Sequence, residues 1–225
     1  MRILTGIFTG KLHRSSFRKN ALNKKCSPSI TVKTKETEAD DRSFILKIDA
    51  KNHIKFFNQS WLDFAKENMG VDFAEIYIDQ PLKKFIANPE TWHIYEIAIN
   101  QVRAETTGKI IWSFRCDSPE CRRYMRMQIT KDAEDFIEFK SHIEKQEARD
   151  PVLILNSQVS RTEEHLTICG WCKKVQLNAD QWVEIEVAVE QLQLFDQTQL
   201  PQLTHSICPH CHQEVLKEIE SRPAE

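Results

Sequence analysis

Apolar and polar residues alternate over short stretches from Ser43 onward, a spacing typical of β-strands. The runs "SFILKIDA" and "IKFFNQ" are separated by the polar "KNH", which predicts two strands joined by a tight turn. The spacing then becomes helical in "WLDFAKENM", where Trp61, Phe64 and Ala65 share one face. Ser60 lies three residues before Asp63, which predicts Ser60 as the cap of this helix.

A longer helix is predicted after the dipeptide Asn88-Pro89. Asn88 is suited to the N-cap, and Pro89 to the first helical position, where a missing N–H costs nothing. One apolar stripe of this helix comprises Ile94, Tyr95, Ala98, Ile99 and Val102. A helix with such a stripe is expected to pack on a sheet.

Three further strands are predicted in "KIIWSFRC", "RRYMRMQIT" and "DFIEFKSHIE". Alternation places Met125, Met127 and Ile129 on one face of the second run, and Ile137, Phe139 and Ile143 on one face of the third. Short connections favour antiparallel pairing. The whole order therefore predicts an α+β fold, with one five-stranded antiparallel sheet and helices over one of its faces.

This order, together with "FILKIDAKNHIKFFNQSWLDFAKENMG", resembles the PAS family of sensory domains over roughly residues 41–145. In many PAS modules a polar turn joins the first two strands and an asparagine, here Asn58, precedes the first helix. The resemblance implies a PAS-like sensor domain over 41–148, whose sheet and helices enclose a small cavity. Haem, flavin or a small metabolite often occupies such a cavity, and the ligand in this chain is unknown.

Few residues of this region indicate a particular ligand. His93 near the start of the long helix is a candidate haem ligand, but a lone histidine at a helix start is more often a surface residue. Four aromatic residues could line a cavity or simply form core: Trp61, Phe64, Trp92 and Trp112.

Cys116 and Cys121 flank the turn of a predicted hairpin in "FRCDSPECRRYMRM". A disulfide across the turn, an oxidisable thiol and two unpaired loop cysteines all remain open. The neighbouring arginines, Arg115, Arg122 and Arg123, are expected to lower the pKa of such a thiol.

Two C-x-x-C pairs near the C-terminus carry the clearest chemistry. Cys169 and Cys172 form the first pair, and Cys208 and Cys211 the second. Two such turns can direct four sulfurs to one Zn²⁺ in a tetrahedron, which predicts a structural zinc site. Thiol redox chemistry is the alternative, although a thioredoxin-like motif needs a single pair on a βαβ scaffold.

The 35 residues between the pairs exceed the roughly 15–20 of a compact zinc ribbon. Within them, "WVEIEVAVEQLQLF" fits a helix through Trp182, Ile185, Val189 and Leu192, and also alternates like a strand. The helix is favoured because the run is long for a strand. An amphipathic terminal helix begins at the second pair, and His205 is a substitute ligand or an outer neighbour of the metal. The sequence thus predicts a treble-clef-like or ribbon-like zinc domain over 149–225.

The combination "ICGWCKKV…W…THSICPHC" is similar to a tail that follows PAS or receiver modules in bacterial signalling proteins. The match covers about residues 165–213, with Ser206 where glycine is common. It implies a signalling context rather than an activity.

Charge is distributed unevenly along the chain. Nine basic and no acidic residues precede Glu36, and subtracting those nine charges from the net −2 leaves −11 for the rest. Residues 1–40 are therefore predicted to be a flexible basic arm, although they also resemble an organellar presequence. The acidic remainder argues against nucleic-acid binding. The odd count of seven cysteines and the lack of a convincing secretion signal or membrane span indicate a reducing, cytoplasmic setting.

No nucleophile–base pair, phosphate loop or catalytic carboxylate pair emerges, so no enzyme is predicted. The sequence favours a regulatory protein whose PAS-like domain senses a small ligand or redox state. Its zinc domain would support contact with a protein partner or a second copy. The alternatives are a redox switch that uses the zinc thiolates, and a zinc-dependent DNA-binding regulator.

Overall fold

The computed structural model describes residues 43–69, 76–86, 88–105 and 108–220. The strands are β1 Phe44–Ile48, β2 Ile54–Phe57, β3 Ile110–Arg115, β4 Cys121–Lys131, β5 Ile137–Ala148, β6 Arg161–Cys169, β7 Val175–Asn178, β8 Gln181–Val183 and β9 Leu200–Ser206. The α-helices are α1 Gln59–Met69, α2 Pro89–Arg103, α3 Ile185–Gln191 and α4 Pro209–Glu220. Short 3₁₀ turns occupy Leu82–Phe85, Leu153–Leu155 and Leu194–Asp196. None of the described helices is long and apolar enough to cross a membrane, and the predicted arm over 1–40 lies outside the described residues.

The first five strands form one antiparallel sheet in the order β2-β1-β5-β4-β3. All five strands predicted in this region are confirmed, and the α+β class with them. Alternation explains the register, because the buried Met127 of β4 lies opposite Trp112 of β3 on one side and Ser141 of β5 on the other. Helices α1 and α2 cover this apolar face.

Aromatic side chains fill the space between the sheet and the helices. Trp61 of α1 packs on Phe57 with ring centroids 4.6 Å apart. Tyr95 of α2 lies edge-on to Trp112 at 5.3 Å and tilted against Phe139 at 6.1 Å. The predicted stripe of α2 is buried, and Asn88 caps the helix by accepting a hydrogen bond from the Thr91 N–H, as expected.

The start of α1 corrects the prediction that Ser60 is its cap. The side chain of Asn58 accepts hydrogen bonds from the N–H groups of Trp61 and Ile45, both at 3.1 Å. Its amide nitrogen donates to the Ser43 carbonyl at 2.7 Å. An amide both donates and accepts, so one side chain caps the helix and ties it to β1, which a hydroxyl cannot do as fully.

We expect Asn58→Ala to lower the free energy of unfolding by about 2 kcal/mol, since it removes a cap and leaves the partly buried Ile45 N–H without its acceptor. Urea denaturation followed by circular dichroism measures the change. The matched control is Ser60→Ala, which should cost less than about 0.5 kcal/mol. Equal losses in the two variants would restore Ser60 as the cap.

The last four strands form a second sheet in the order β8-β7-β6-β9. Strands β6 and β9 run parallel, whereas the β6–β7 and β7–β8 pairs are antiparallel. The parallel pair brings Cys169 at the end of β6 opposite Ser206 at the end of β9. Both C-x-x-C pairs therefore begin at the same end of the sheet, where β6 and β9 finish.

The run "WVEIEVAVEQLQLF" contains both a strand and a helix. Trp182 and Val183 lie in β8, and α3 then spans Ile185–Gln191 and ends before Leu192. The predicted helix from Trp182 to Leu192 is thus too long at both ends. Trp182 is used instead in the β7–β8 hairpin, where it pairs with Gln176.

One hydrophobic core extends across position 148, where the predicted sensor domain ends. The core between the first sheet and its helices also contains Cys169, Trp171, Cys208, Val215 and Ile219. A smaller core lies under the second sheet, with Ile168, Val175 and Ile185 among its members. The predicted division at 148 stays a prediction, but the cysteine pairs pack with the first core.

Candidate metal centre

The first C-x-x-C pair occupies the tight turn between β6 and β7. Cys169 ends β6, and its N–H donates to the Lys174 carbonyl at 2.7 Å across the turn. Lys173 adopts a left-handed backbone with φ 65°, and its N–H returns to the Cys169 carbonyl at 3.1 Å. This reversal places both sulfurs of the pair on the same side of the turn.

The second pair lies where β9 passes into α4. Cys208 precedes the helix, Pro209 is its first residue and Cys211 lies in its first turn. The Cys211 N–H points to the Cys208 sulfur at 3.4 Å. The free N–H groups and dipole of a helix start stabilise negative charge, which suits a thiolate at this position.

Backbone contacts hold the two turns together. The Gly170 N–H donates to the Ser206 carbonyl at 2.8 Å, and the Cys208 N–H points to the Cys169 sulfur at 3.4 Å. The parallel β6–β9 pairing positions both contacts. The two turns therefore meet through regular secondary structure as well as through their sulfurs.

All four sulfurs lie within 4.8 Å of one another. The sulfurs of Cys172 and Cys208 are 3.8 Å apart. Sulfurs bound to one zinc ion at about 2.3 Å in a tetrahedron are separated by comparable distances. Cys169 and Cys208 are buried and Cys172 and Cys211 half-buried, so the cluster has a protein-covered side and a side nearer the solvent.

The four thiols compete for negative charge. The pKa of Cys169 is lowered, first because the Cys172 thiol donates a hydrogen bond to its sulfur and then because the Cys208 and Cys211 thiols do so. The pKa of Cys211 is raised, first by its hydrogen bond to Cys169. Ionisation of one sulfur thus opposes ionisation of its neighbours. A divalent cation would relieve this competition, so these residues fit a metal ion such as zinc.

Lys173 is a buried cation beside the cluster that the sequence did not single out. Its side-chain nitrogen donates to the Gly170 carbonyl at 2.7 Å. Burial lowers its pKa to about 8, although Cys116, Asp117 and Cys169 favour the charged form. A lysine directly after a C-x-x-C pair is usually solvated, so the burial of Lys173 could not be predicted from the sequence.

A network of ion pairs joins the first sheet to the start of α3. Asp117 follows β3, has a side chain with 0% exposure, and binds Arg115 at 2.5 Å and Arg149 at 3.2 Å. Arg115 also binds Glu184 at 2.9 Å, and Arg149 binds Glu186 at 3.1 Å. Each arginine thus bridges an acidic residue of the first sheet's loop and one at the start of α3.

The expected low pKa of a thiol in the β3–β4 hairpin is wrong for Cys116. Burial raises the pKa of Cys116, and the positive charges of Lys173 and Arg123 only partly oppose this. Arg115 and Arg122 are already paired with carboxylates. Cys116 and Cys121 are both buried and neither is in a disulfide, so neither thiol is accessible to solvent.

The other residues singled out in the sequence do not belong to the group of four sulfurs. His93 is exposed on α2 and His205 is half-buried in β9, and the four-sulfur group does not include either. Trp61, Trp92 and Trp112 are buried and Phe64 is half-buried against the same core. Packing within the core accounts for these aromatic residues.

A cavity of about 450 Å³ lies at the end of α2 beside the turn that joins β4 and β5. Its walls include Glu105, Lys131 and Asp135. Lys131 binds both carboxylates at 2.9 Å. With Asp132 also in the lining, one lysine faces three carboxylates, so the cavity wall is acidic; the cavity lies outside the aromatic core between sheet and helices.

Comparisons with known proteins leave the family open. No family model and no curated protein matches the chain. Nine solved chains match, among them a crystal structure of a C-terminal domain from Streptococcus mutans. That structure is 10% identical over 46% of this chain and 76% of its own, with a TM-score of 0.36. A similarity this low carries no argument about fold family or function.

Proposed function

We propose that the chain is a non-enzymatic regulatory protein in which a PAS-like domain is joined to a structural zinc site. The convergence of Cys169, Cys172, Cys208 and Cys211 within 4.8 Å carries the zinc part of this proposal. Thiolate sulfur is a ligand that zinc prefers, and four thiolates close a structural site without an open position for catalysis. In this proposal one knuckle lies in a hairpin and the other at a helix start, in a treble-clef-like arrangement.

The PAS-like part of the proposal is supported by the order of elements. Two strands, a helical region that ends in the long α2, and three more strands make one antiparallel sheet with helices over one face. Asn58 precedes the first helix, as an asparagine does in many PAS modules, and its side chain links that helix to the first strand. The proposed role of this domain is to sense a small ligand or redox state whose identity is open.

Output through a partner is the remaining part of the proposal. Three apolar side chains, those of Val187, Leu192 and Phe195, are exposed in and just after α3. Exposed apolar residues grouped in one short segment support a contact with another protein or a second copy of this chain. In this proposal the zinc domain offers that contact and performs no chemistry itself.

Metal content and visible absorption of the purified full-length chain test the proposal. We expect one zinc ion per chain and a colourless sample. Replacement by cobalt(II) should give the visible absorption of a tetrahedral thiolate site. A chain that holds no metal after reducing purification would contradict the zinc site, and a haem absorption band would contradict the assignment of the aromatic core as ligand-free packing.

A thiol redox switch is a second candidate, favoured by the half-buried state of Cys172 and Cys211. Hydrogen peroxide could oxidise two thiolates to one disulfide while it is reduced to water, and the lost ligands would release zinc. Zinc release at low peroxide, reversed by a thiol reductant, would favour the switch. Retention of zinc under the same treatment would favour a static structural site.

A further inference from the structure

The first cysteine turn is anchored directly to the edge of the five-stranded sheet. Trp171 lies between the two cysteines of that turn, and its carbonyl accepts a hydrogen bond from the Arg115 N–H at 2.7 Å. Its ring lies 6.2 Å from that of Tyr95 and 6.3 Å from that of Trp112. The residue between two proposed metal ligands is thus part of the aromatic core under the first sheet.

The second cysteine turn reaches the same region through α4. This helix starts at the second pair and packs against β3 and α2. Its apolar residues Val215 and Ile219 are buried in the same core as Trp171. The first cysteine turn therefore contacts β3 and α2 through Trp171, and the second contacts them through α4.

Trp171 is held in this core at a cost. Its indole N–H is buried and has no acceptor among the described residues. A buried donor without a partner favours any rearrangement that returns it to water. The position of the ring consequently depends on what fixes the turn that carries it.

A metal ion would fix that turn by joining it to the start of α4. Cys172 and Cys208 are 36 residues apart in sequence, and the ion would convert their contact into a covalent-like link. Without a cation, ionised sulfurs this close repel one another. Metal removal should therefore loosen both the tryptophan turn and α4.

We propose that occupancy of the four-cysteine site controls whether Trp171 and α4 remain packed against β3 and α2. The state of the metal site is thereby transmitted to the core of the first domain. This inference rests on the proposed zinc site. It adds that a change at the metal site alters the packing of the first core. The metal acts on the sensor-like core through Trp171, in addition to closing its own small domain.

Hydrogen exchange with mass spectrometry tests the coupling in the full-length chain, as purified with zinc and after chelation under reducing conditions. Chelation should increase exchange in peptides covering Ile110–Arg115 and Pro209–Glu220 by about tenfold or more, as expected for the loss of a backbone hydrogen bond with its packing. Peptides covering Phe44–Ile48 should change little, and added zinc should restore the original rates. An equal increase in all three segments would contradict local transmission, because it would indicate global unfolding.

A matched pair of tryptophan variants separates the coupling from the metal site. Trp171→Leu leaves all four sulfurs in place, so it should still bind one zinc, but the effect of chelation on β3 should be reduced severalfold. Trp182→Leu changes a tryptophan of the hairpin β7–β8 that packs against the same core only as a partly buried residue, so this variant should keep most of the response of the natural chain. A chain without bound zinc would contradict the metal site itself. If the natural chain binds zinc but chelation leaves hydrogen exchange in β3 unchanged, only the coupling is contradicted. The same holds if chelation raises β3 exchange in Trp171→Leu as much as in the natural chain.

Discussion

Cys208→Ala should strongly weaken zinc binding and remove most of the stability that zinc supplies to the chain. Cys208 is buried and contributes one of the four converging sulfurs, and its sulfur also accepts the Cys211 N–H. With free zinc at about 1,000 times its dissociation constant, the natural chain should gain about 4 kcal/mol of folding free energy over the metal-free chain. The variant should gain much less, because water must replace a thiolate to complete the tetrahedron.

The measurement is urea denaturation with and without zinc, together with metal content after dialysis. Cys121→Ala is the matched control, since Cys121 is a buried cysteine outside the four-sulfur group. It should lose some packing stability but keep one zinc and the full zinc-dependent gain. Equal zinc-dependent gains in the two variants would show that Cys208 is not a ligand.

The strands and helices of the first sheet, and the convergence of the two cysteine pairs, could be predicted from the sequence. Alternation in the runs around Phe139 and Met127 predicts strands because only one face of the sheet is buried. The Asn88-Pro89 dipeptide predicts the start of α2 because its geometry is local. Two matched C-x-x-C pairs predict convergence because a metal site needs four ligands, and the four sulfurs do lie together.

Features that depend on distant contacts could not be predicted in the same way. The parallel pairing of β6 with β9 joins segments separated by a hairpin and a helix, and no local signal marks it. Trp171 belongs to a turn by sequence but to the first core by packing. The pKa of Cys116 depends on burial and on carboxylates that already occupy Arg115, and neither can be seen from the adjacent arginines alone.

The buried network around Asp117 suggests a second large effect. Asp117→Asn should lower the free energy of unfolding by about 3 kcal/mol, because it takes one of two carboxylate partners from each of two largely buried arginines. Arg149, only 6% exposed at its side chain, would keep Glu186 but lose its contact with Asp117. Arg115 would likewise keep Glu184 alone. These remaining partners should hold the loss near the lower end of the range for broken buried pairs.

Urea denaturation of the zinc-loaded chain measures this loss, and Glu144→Gln is the control. Glu144 pairs with Arg126 at 3.2 Å on the exposed face of the sheet, and an exposed pair should contribute less than about 1 kcal/mol. Because Asp117 acts through arginines that also hold Glu184 and Glu186, its loss should weaken both sheets in one transition. Two separate transitions in Asp117→Asn, with only the first shifted, would show that the network does not couple the two halves of the chain.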